Sequence, residues 1–181
     1  MAEATRRLFL ALWPGEAVAE RLFAVSADAW RVCGGRRMRR ETLHLTLAFL
    51  GEVAEGRLPE LRAALAPVRG EAFRLTIDRL GYWPHNRIVW GGCPATPPAL
   101  ARLVADLRAV LAAAGFLPGT GAAGLVPPFV PHLTLLRKAA PAAALPDCPP
   151  IDWPVTEWVL VASALSSAGP AYTRLGVWPL E

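Results

Sequence analysis

An α+β fold of two similar lobes is what this chain predicts, and three observations predict it. The tetrapeptide His-Leu-Thr-Leu occurs at residues 44–47 and returns at 132–135, in a chain that has only three histidines, His44, His85 and His132. The offset, 132 minus 44, is 88 residues, close to half of the 181-residue chain, and a repeat at that distance is the mark of a duplicated unit. Apolar residues also switch along the chain between period two and a three-to-four spacing, so strands and helices are mixed. With 54% hydrophobic and 19% charged residues the chain can pack a core, and one domain over residues 1–181, made of two interleaved lobes, is expected.

The elements follow in order. "RRLFLALWP" at 6–14 reads as a buried strand ended by proline. "PGEAVAERLFAVSADAWRV" then repeats Val18, Leu22, Val25 and Ala29 at helical spacing. "TLHLTLAFLG" at 42–51 alternates with period two and stops at Gly51, a strand. "EGRLPELRAALAPVRG" puts Leu58, Leu61, Leu65 and Val68 on one helical face. Single strands are expected at 72–81 and 87–92, joined by the turn-like "YWPHN". "PPALARLVADLRAVLAAAG" is the clearest helix, with Leu100, Leu103, Leu107, Val110 and Leu111 on its stripe and Gly115 as its stop. "FLPGTGAAGLVPP" reads as a loop, "FVPHLTLLR" at 129–137 as a strand, and "KAAPAAALPDCPP" as a second loop. "TEWVLVASALSS" and "AYTRLGVWPL" form a closing pair of strands around "AGP".

Composition excludes several kinds of chemistry. Lys138 is the only lysine and no glycine precedes it, so a P-loop is absent and a nucleotidyl-lysine has no suitable context. H-E-x-x-H, G-x-S-x-G and G-x-G-x-x-G are also missing. Cys33, Cys93 and Cys148 are odd in number and far apart, which suits neither a disulfide framework nor a cysteine-rich zinc site, and a cytoplasmic setting is expected. The opening "LFLALW" is too short for a signal peptide and lacks a cleavage site. No run reaches the ~18 to 20 apolar residues of a membrane span, so no membrane partner is expected. A net charge of +4 suits an anionic partner. Arg31, Arg36, Arg37, Arg39 and Arg40 crowd just upstream of the first motif, where they either meet phosphates or form a solvated loop.

Side chains two apart on a strand share a face, so His44 projects with Thr46 and His132 with Thr134, while the leucines between them point into a core. Four such side chains in one cleft make an acid–base pair with two hydroxyl donors. Histidine titrates near neutrality, and a pair can hold one neutral and one protonated ring. Cleavage of a phosphodiester by water needs both, and threonine hydroxyls can bond the phosphate oxygens as charge builds there. The scheme calls for no metal and no cofactor. A satisfied strand histidine is the blander reading of one motif, but it weakens sharply for two identical copies.

These residues bring a family into view. "ETLHLTLAFLGEV", "FVPHLTLLR", the opening "RLFLAL", "GYWPHNRIVWGG" and the ending "LVASALSSAGPAYTRLGVWPL" make the chain resemble, over nearly its whole length, the 2H phosphoesterase superfamily. Within it, the chain resembles the RNA 2',3'-cyclic phosphodiesterases, also called 2'-5' RNA ligases. The resemblance implies a bilobal fold, each lobe an antiparallel sheet with helices outside, around a central groove. It implies hydrolysis of RNA 2',3'-cyclic phosphate ends, or small cyclic nucleotides, to 2'-phosphates, with a reversible, ATP-independent 2'-5' joining activity. It makes His44 the acid and His132 the base, and it places Arg137 near the phosphate with Thr46 and Thr134. A monomer is expected. The competing functions are a phosphodiesterase acting on another cyclic or 2'-5' linked nucleotide, and a non-catalytic protein that binds RNA ends. The segment "PGTGAAGLVPP" is longer and less charged than is usual in the family, and "CGGRRMRRE" lacks the tryptophan and proline often found before the first motif. His85 reads chiefly as a surface histidine, and Trp83, Trp90 and Tyr172 chiefly as core.

Overall fold

The computed structural model describes residues 4–117, 128–166 and 169–181. Strand β1 (Thr5–Leu12) leads into helix α1 (Glu16–Cys33), then a two-residue strand β2 (Arg36–Arg37) and strand β3 (Leu45–Ala54). Helix α2 (Leu58–Leu65), strands β4 (Phe73–Ile77), β5 (Arg79–Trp83) and β6 (Ile88–Gly92), and helix α3 (Pro98–Ala113) follow. Strands β7 (His132–Arg137), β8 (Ile151–Val155), β9 (Glu157–Ser166) and β10 (Gly169–Pro179) complete the order. The glycine-rich segment before the second motif falls mostly outside the described residues, as does the centre of the last turn.

The main sheet runs β10-β9-β1-β3-β7-β6-β5, with β2 on β7, and β4 and β8 make a separate pair. All of these pairings are antiparallel. A central strand is buried on both faces, and β1 is apolar over most of its length for that reason. Its Leu8, Leu10 and Leu12 enter the large core with the leucines of all three helices. Phe9 and Ala11 point to the opposite face and pack with Val159 and Val161.

The duplication shows as β1-α1-β3 against β6-α3-β7. Within each unit the two strands are neighbours, while the helices cross over: α1 packs on β7, and α3 packs on β3. What brings the two motifs together is a shared strand pair rather than two faces closing on a gap. β3 meets β7 at one position, Leu45 opposite Leu133, which are the same residue of the two repeats. An antiparallel pair has a local two-fold axis, so this pairing is the joint through which one half maps onto the other.

Three local features depart from the sequence pattern. The single strand at 72–81 is broken at Asp78 into β4 and β5, which belong to different sheets. β8 occupies residues 151–155, to which the sequence pattern assigned no element, because Pro154 and the proline-rich approach mask a short edge strand whose Ile151, Trp153 and Val155 are buried. The arginine-rich segment contains β2, whose Arg36 and Arg37 pair with Arg137 and Leu136. Propensity does not reveal a two-residue strand, since only its partner defines it.

Candidate active site

The shared pair sets the geometry of the site. With Leu45 opposite Leu133, the residues on either side of each leucine, His44 and Thr46, His132 and Thr134, lie on the other face of the sheet. Leu43, Leu45, Leu47, Leu133 and Leu135 are all buried in the core, whereas the two histidines and two threonines are half-buried.

Both histidines are held by the same bond. His44 Nδ1 lies 2.7 Å from the carbonyl of Thr42, and His132 Nδ1 lies 2.8 Å from the carbonyl of Val130. A carbonyl only accepts, so each Nδ1 carries the proton and each Nε2 is left for chemistry. Thr42 is itself fixed in a short 3-10 turn, Arg40–Thr42, by a bond from its hydroxyl to the Arg39 carbonyl at 2.7 Å.

Their surroundings differ. His44 sits among Trp13, stacked at 5.1 Å, Phe9 at 4.9 Å, and the edge of Tyr172 at 5.3 Å. His132 meets Trp83 edge-on at 4.5 Å, and Trp83 packs on Trp90 at 5.3 Å. Gly92, rather than a larger residue, pairs with His132, and Trp90 pairs with Thr134. Burial pushes the His44 imidazolium down to about 4, its carbonyl bond opposing, with Arg137 and His132 adding to the fall. His132 is lowered by burial first, its carbonyl bond again opposing, with Arg137 adding to the fall. Both rings are therefore neutral in the free protein near pH 7.

A cleft of about 380 Å³ opens beside His44 and Thr46, and Arg7, Arg36, Arg137, Phe49, Ser163 and Tyr172 are among the residues that line it. Arg36 and Arg137 are direct cross-strand partners, an arrangement of like charges that is unfavourable by itself. Among the described residues, neither they nor Arg7 pairs with a carboxylate. By contrast Arg6, Arg31, Arg39 and Arg40 all do. Arg37 turns away from the cleft, bonding Ser26 Oγ and the Phe23 carbonyl and lying over the Phe23 ring. The arginine cluster thus divides, with Arg36 facing the cleft and the others engaged elsewhere. Burial raises the Tyr172 hydroxyl, while Arg137, Arg36, Arg39 and Arg7 pull it the other way. An uncompensated group of guanidinium ions beside two neutral imidazoles suits a phosphate.

His85 lies in the exposed β5–β6 turn, 6.2 Å from Trp83, and does not line the cleft. Tyr172 and Trp83, which read as core in the sequence, pack instead against the two histidines. Arg7, Phe9, Trp13 and Phe49 escaped the sequence reading, although the odd positions of β1 carried a signal: they share a face that the leucines of the helix core leave open. Among the described residues, no three His, Cys, Asp or Glu side chains gather as a metal site would require.

Two pinned imidazoles, two hydroxyls and an arginine-lined cleft at the joint of a duplicated antiparallel sheet are the parts that a two-histidine phosphoesterase requires. Residues 14–165 match the model of the 2'-5' RNA ligase superfamily, and the chain belongs to that family. It is 35% identical over 177 residues to the RNA 2',3'-cyclic phosphodiesterase of Escherichia coli K12, covering 97% of both chains. It is 36% identical over 183 residues to the enzyme of that name from Thermus thermophilus, covering 97% of this chain and 90% of that one. The crystal structure of E. coli LigT complexed with 3'-AMP superposes with a TM-score of 0.85 at 33% identity, over 98% of this chain and 99% of the other.

Proposed function

We propose that the protein hydrolyses 2',3'-cyclic phosphate ends of RNA to 2'-phosphates. The observation that carries this reading is the matched bond from each Nδ1 to a backbone carbonyl, which leaves two Nε2 atoms on one face of the β3–β7 joint, with His44 lining the cleft and His132 across the strand pair from it. In the step, water attacks phosphorus and loses its proton to one neutral Nε2. The bond from phosphorus to O3' breaks, and the O3' leaving group takes a proton from the other ring. Arg137, Thr46 and Thr134 hold the non-bridging oxygens as charge accumulates on them. With a 5'-hydroxyl in place of water the same step joins ends without ATP: the hydroxyl oxygen bonds to phosphorus, the bond from phosphorus to O3' breaks, and a 2'-5' linkage results. Bound phosphate raises both imidazoles from their depressed positions, and this supplies the protonated partner that the free protein lacks near neutrality.

The resemblance makes His44 the acid. A specific observation favours the reverse: His44 has the more enclosing aromatic surroundings and is the ring driven to about 4. A phosphodiester with a nitrophenolate leaving group separates the two, because such a group departs unprotonated. It restores turnover to the variant that lacks the acid and not to the variant that lacks the base.

We further place the protein in the cytoplasm as a single-domain monomer. The free state of Cys33, Cys93 and Cys148 supports the compartment. No described helix is long and apolar enough to cross a membrane.

The first test is incubation of EDTA-treated protein with an RNA ending in a 2',3'-cyclic phosphate. Conversion to a 2'-phosphate is expected. A 3'-phosphate product, or no product from RNA or small cyclic phosphates, overturns the reading.

A further inference from the structure

Arginine meets carboxylate at two different lengths in this protein. Among the described residues, Arg6, Arg31, Arg40, Arg57, Arg74 and Arg102 each hold a carboxylate at 2.5 to 3.0 Å. Arg39 and Arg174 reach theirs, Glu41 and Glu157, only at 3.4 and 3.6 Å. Those lengths lie outside the usual range of an N–H···O bond, and half-exposed pairs of that kind contribute little.

Both loosely paired arginines line one pocket of about 410 Å³, together with Trp13, Glu41, Thr42 and Tyr172. It adjoins the catalytic cleft, and Tyr172 lines both. The wall between them is built from the groups that hold His44: the stacked Trp13, the edge of Tyr172, and Thr42, whose carbonyl accepts from Nδ1. The pocket therefore begins one aromatic layer behind that imidazole.

What the pocket can take follows from how its side chains are held. Trp13 has no free face for a base, because His44 stacks on the ring and the Arg174 guanidinium lies over it at 5.5 Å. Arg39 is anchored through Nη2 to the Pro170 carbonyl at 2.8 Å. A guanidinium has five N–H donors, so each of the two keeps donors for an anion with several oxygens. Positioned cations without an open ring make a phosphate subsite rather than a base platform. On the other flank of the cleft, the pocket beside Arg6 and Arg7 includes Glu52, and Arg6 is bonded to Glu55 at 2.7 Å, so that side has fewer donors to give.

We propose that Arg39 and Arg174 bind the phosphodiester that links the terminal nucleotide to the rest of an RNA chain, an inference that rests on the reaction proposed above. Successive phosphates of a strand are one nucleotide apart, and the two pockets stand on either side of a single side chain, Tyr172. The subsite distinguishes an RNA end from a free mononucleotide, since only the RNA end brings a second phosphate.

The experiment measures KM and kcat for adenosine 2',3'-cyclic phosphate and for the dinucleotide ApA ending in a 2',3'-cyclic phosphate. It uses wild-type, Arg39→Ala/Arg174→Ala, Arg39→Lys/Arg174→Lys and Arg6→Ala protein. In wild-type protein the dinucleotide is expected to have the lower KM, by about tenfold. The alanine pair should abolish that advantage, leave the mononucleotide unchanged, and flatten the salt dependence of the dinucleotide KM. The lysine pair should restore part of the advantage, and Arg6→Ala should leave it intact. Equal KM values for the two substrates in active wild-type protein overturn the subsite, as does an equal loss on both substrates in the alanine pair, or a loss confined to Arg6→Ala. Wild-type protein inert toward both substrates overturns the reaction itself, and the subsite with it.

Discussion

His44 and His132 share one hydrogen-bond geometry and differ in what encloses them, and their pH behaviour follows from that difference. The proposed mechanism needs one neutral and one protonated ring, yet both are depressed below the ordinary histidine value in the free protein. The optimum of kcat/KM is therefore expected below about pH 6.5, with activity falling as pH rises past it; a pH–rate profile with a small cyclic phosphate measures this. Stability follows the same shift. The unfolded chain binds a proton near 6.5 that folded His44 resists until about 4, so the folded state keeps its full stability above 6.5. It loses up to about 3 kcal/mol as pH falls from there toward 4. Urea midpoints at pH 7 and pH 5 should differ in wild-type protein and converge in His44→Gln. Arg36 and Arg37 are adjacent and make an instructive pair. Arg37→Ala should destabilise the fold by roughly 1 to 3 kcal/mol, since it leaves Ser26 and Phe23 without a charge-assisted partner. Arg36→Ala should leave the urea midpoint nearly unchanged.

The strand pair that joins the halves is narrow. β3 and β7 pair only at Leu45 and Leu133, and both leucines are fully buried. Leu45→Ala or Leu133→Ala is expected to cost about 2 to 5 kcal/mol and to depress turnover further than stability alone explains, because it loosens the register of both histidines; urea titration beside kcat at low temperature separates the effects. Glycine has a steric role on the neighbouring strands. Trp90 lies against Gly81, where an added Cβ would overlap the indole, and among the described residues the buried Trp90 N–H has no partner. Gly81→Ala should displace that ring at a cost of about 1 to 3 kcal/mol, visible as a shift in tryptophan fluorescence. Helices and long strands were legible because burial on one face writes its period into them, as in α3 with Leu100, Leu103 and Leu107. β2 and β8 were not legible, since their strand character comes from partners at Arg137 and in β4, far away in the chain. The break at Asp78 was hidden for a similar reason, with β4 and β5 each claimed by a different sheet.

Across the whole molecule the charge is only +4, and what matters is how it is distributed. Among the described residues Arg6, Arg31, Arg39, Arg40, Arg57, Arg74, Arg102 and Arg174 are matched by carboxylates, whereas Arg7, Arg36 and Arg137 are not and converge on one cleft. RNA binding should weaken with salt, and Arg36→Ala should lower the log–log slope by about one; a slope unchanged by that substitution would remove Arg36 from the phosphate path. The duplication, the class of fold and the two His-x-Thr pairs are written in local pattern, because a repeated motif and strand alternation are local properties of the chain, and the reaction came with the family that those motifs resemble. How the halves meet, which arginines face the cleft, and that Tyr172 and Trp83 pack on the histidines while Phe49 lines the cleft were not legible before the strands were paired. Those outcomes depend on register between distant strands, and above all on a one-residue bulge that turns Phe49 from the core to the cleft.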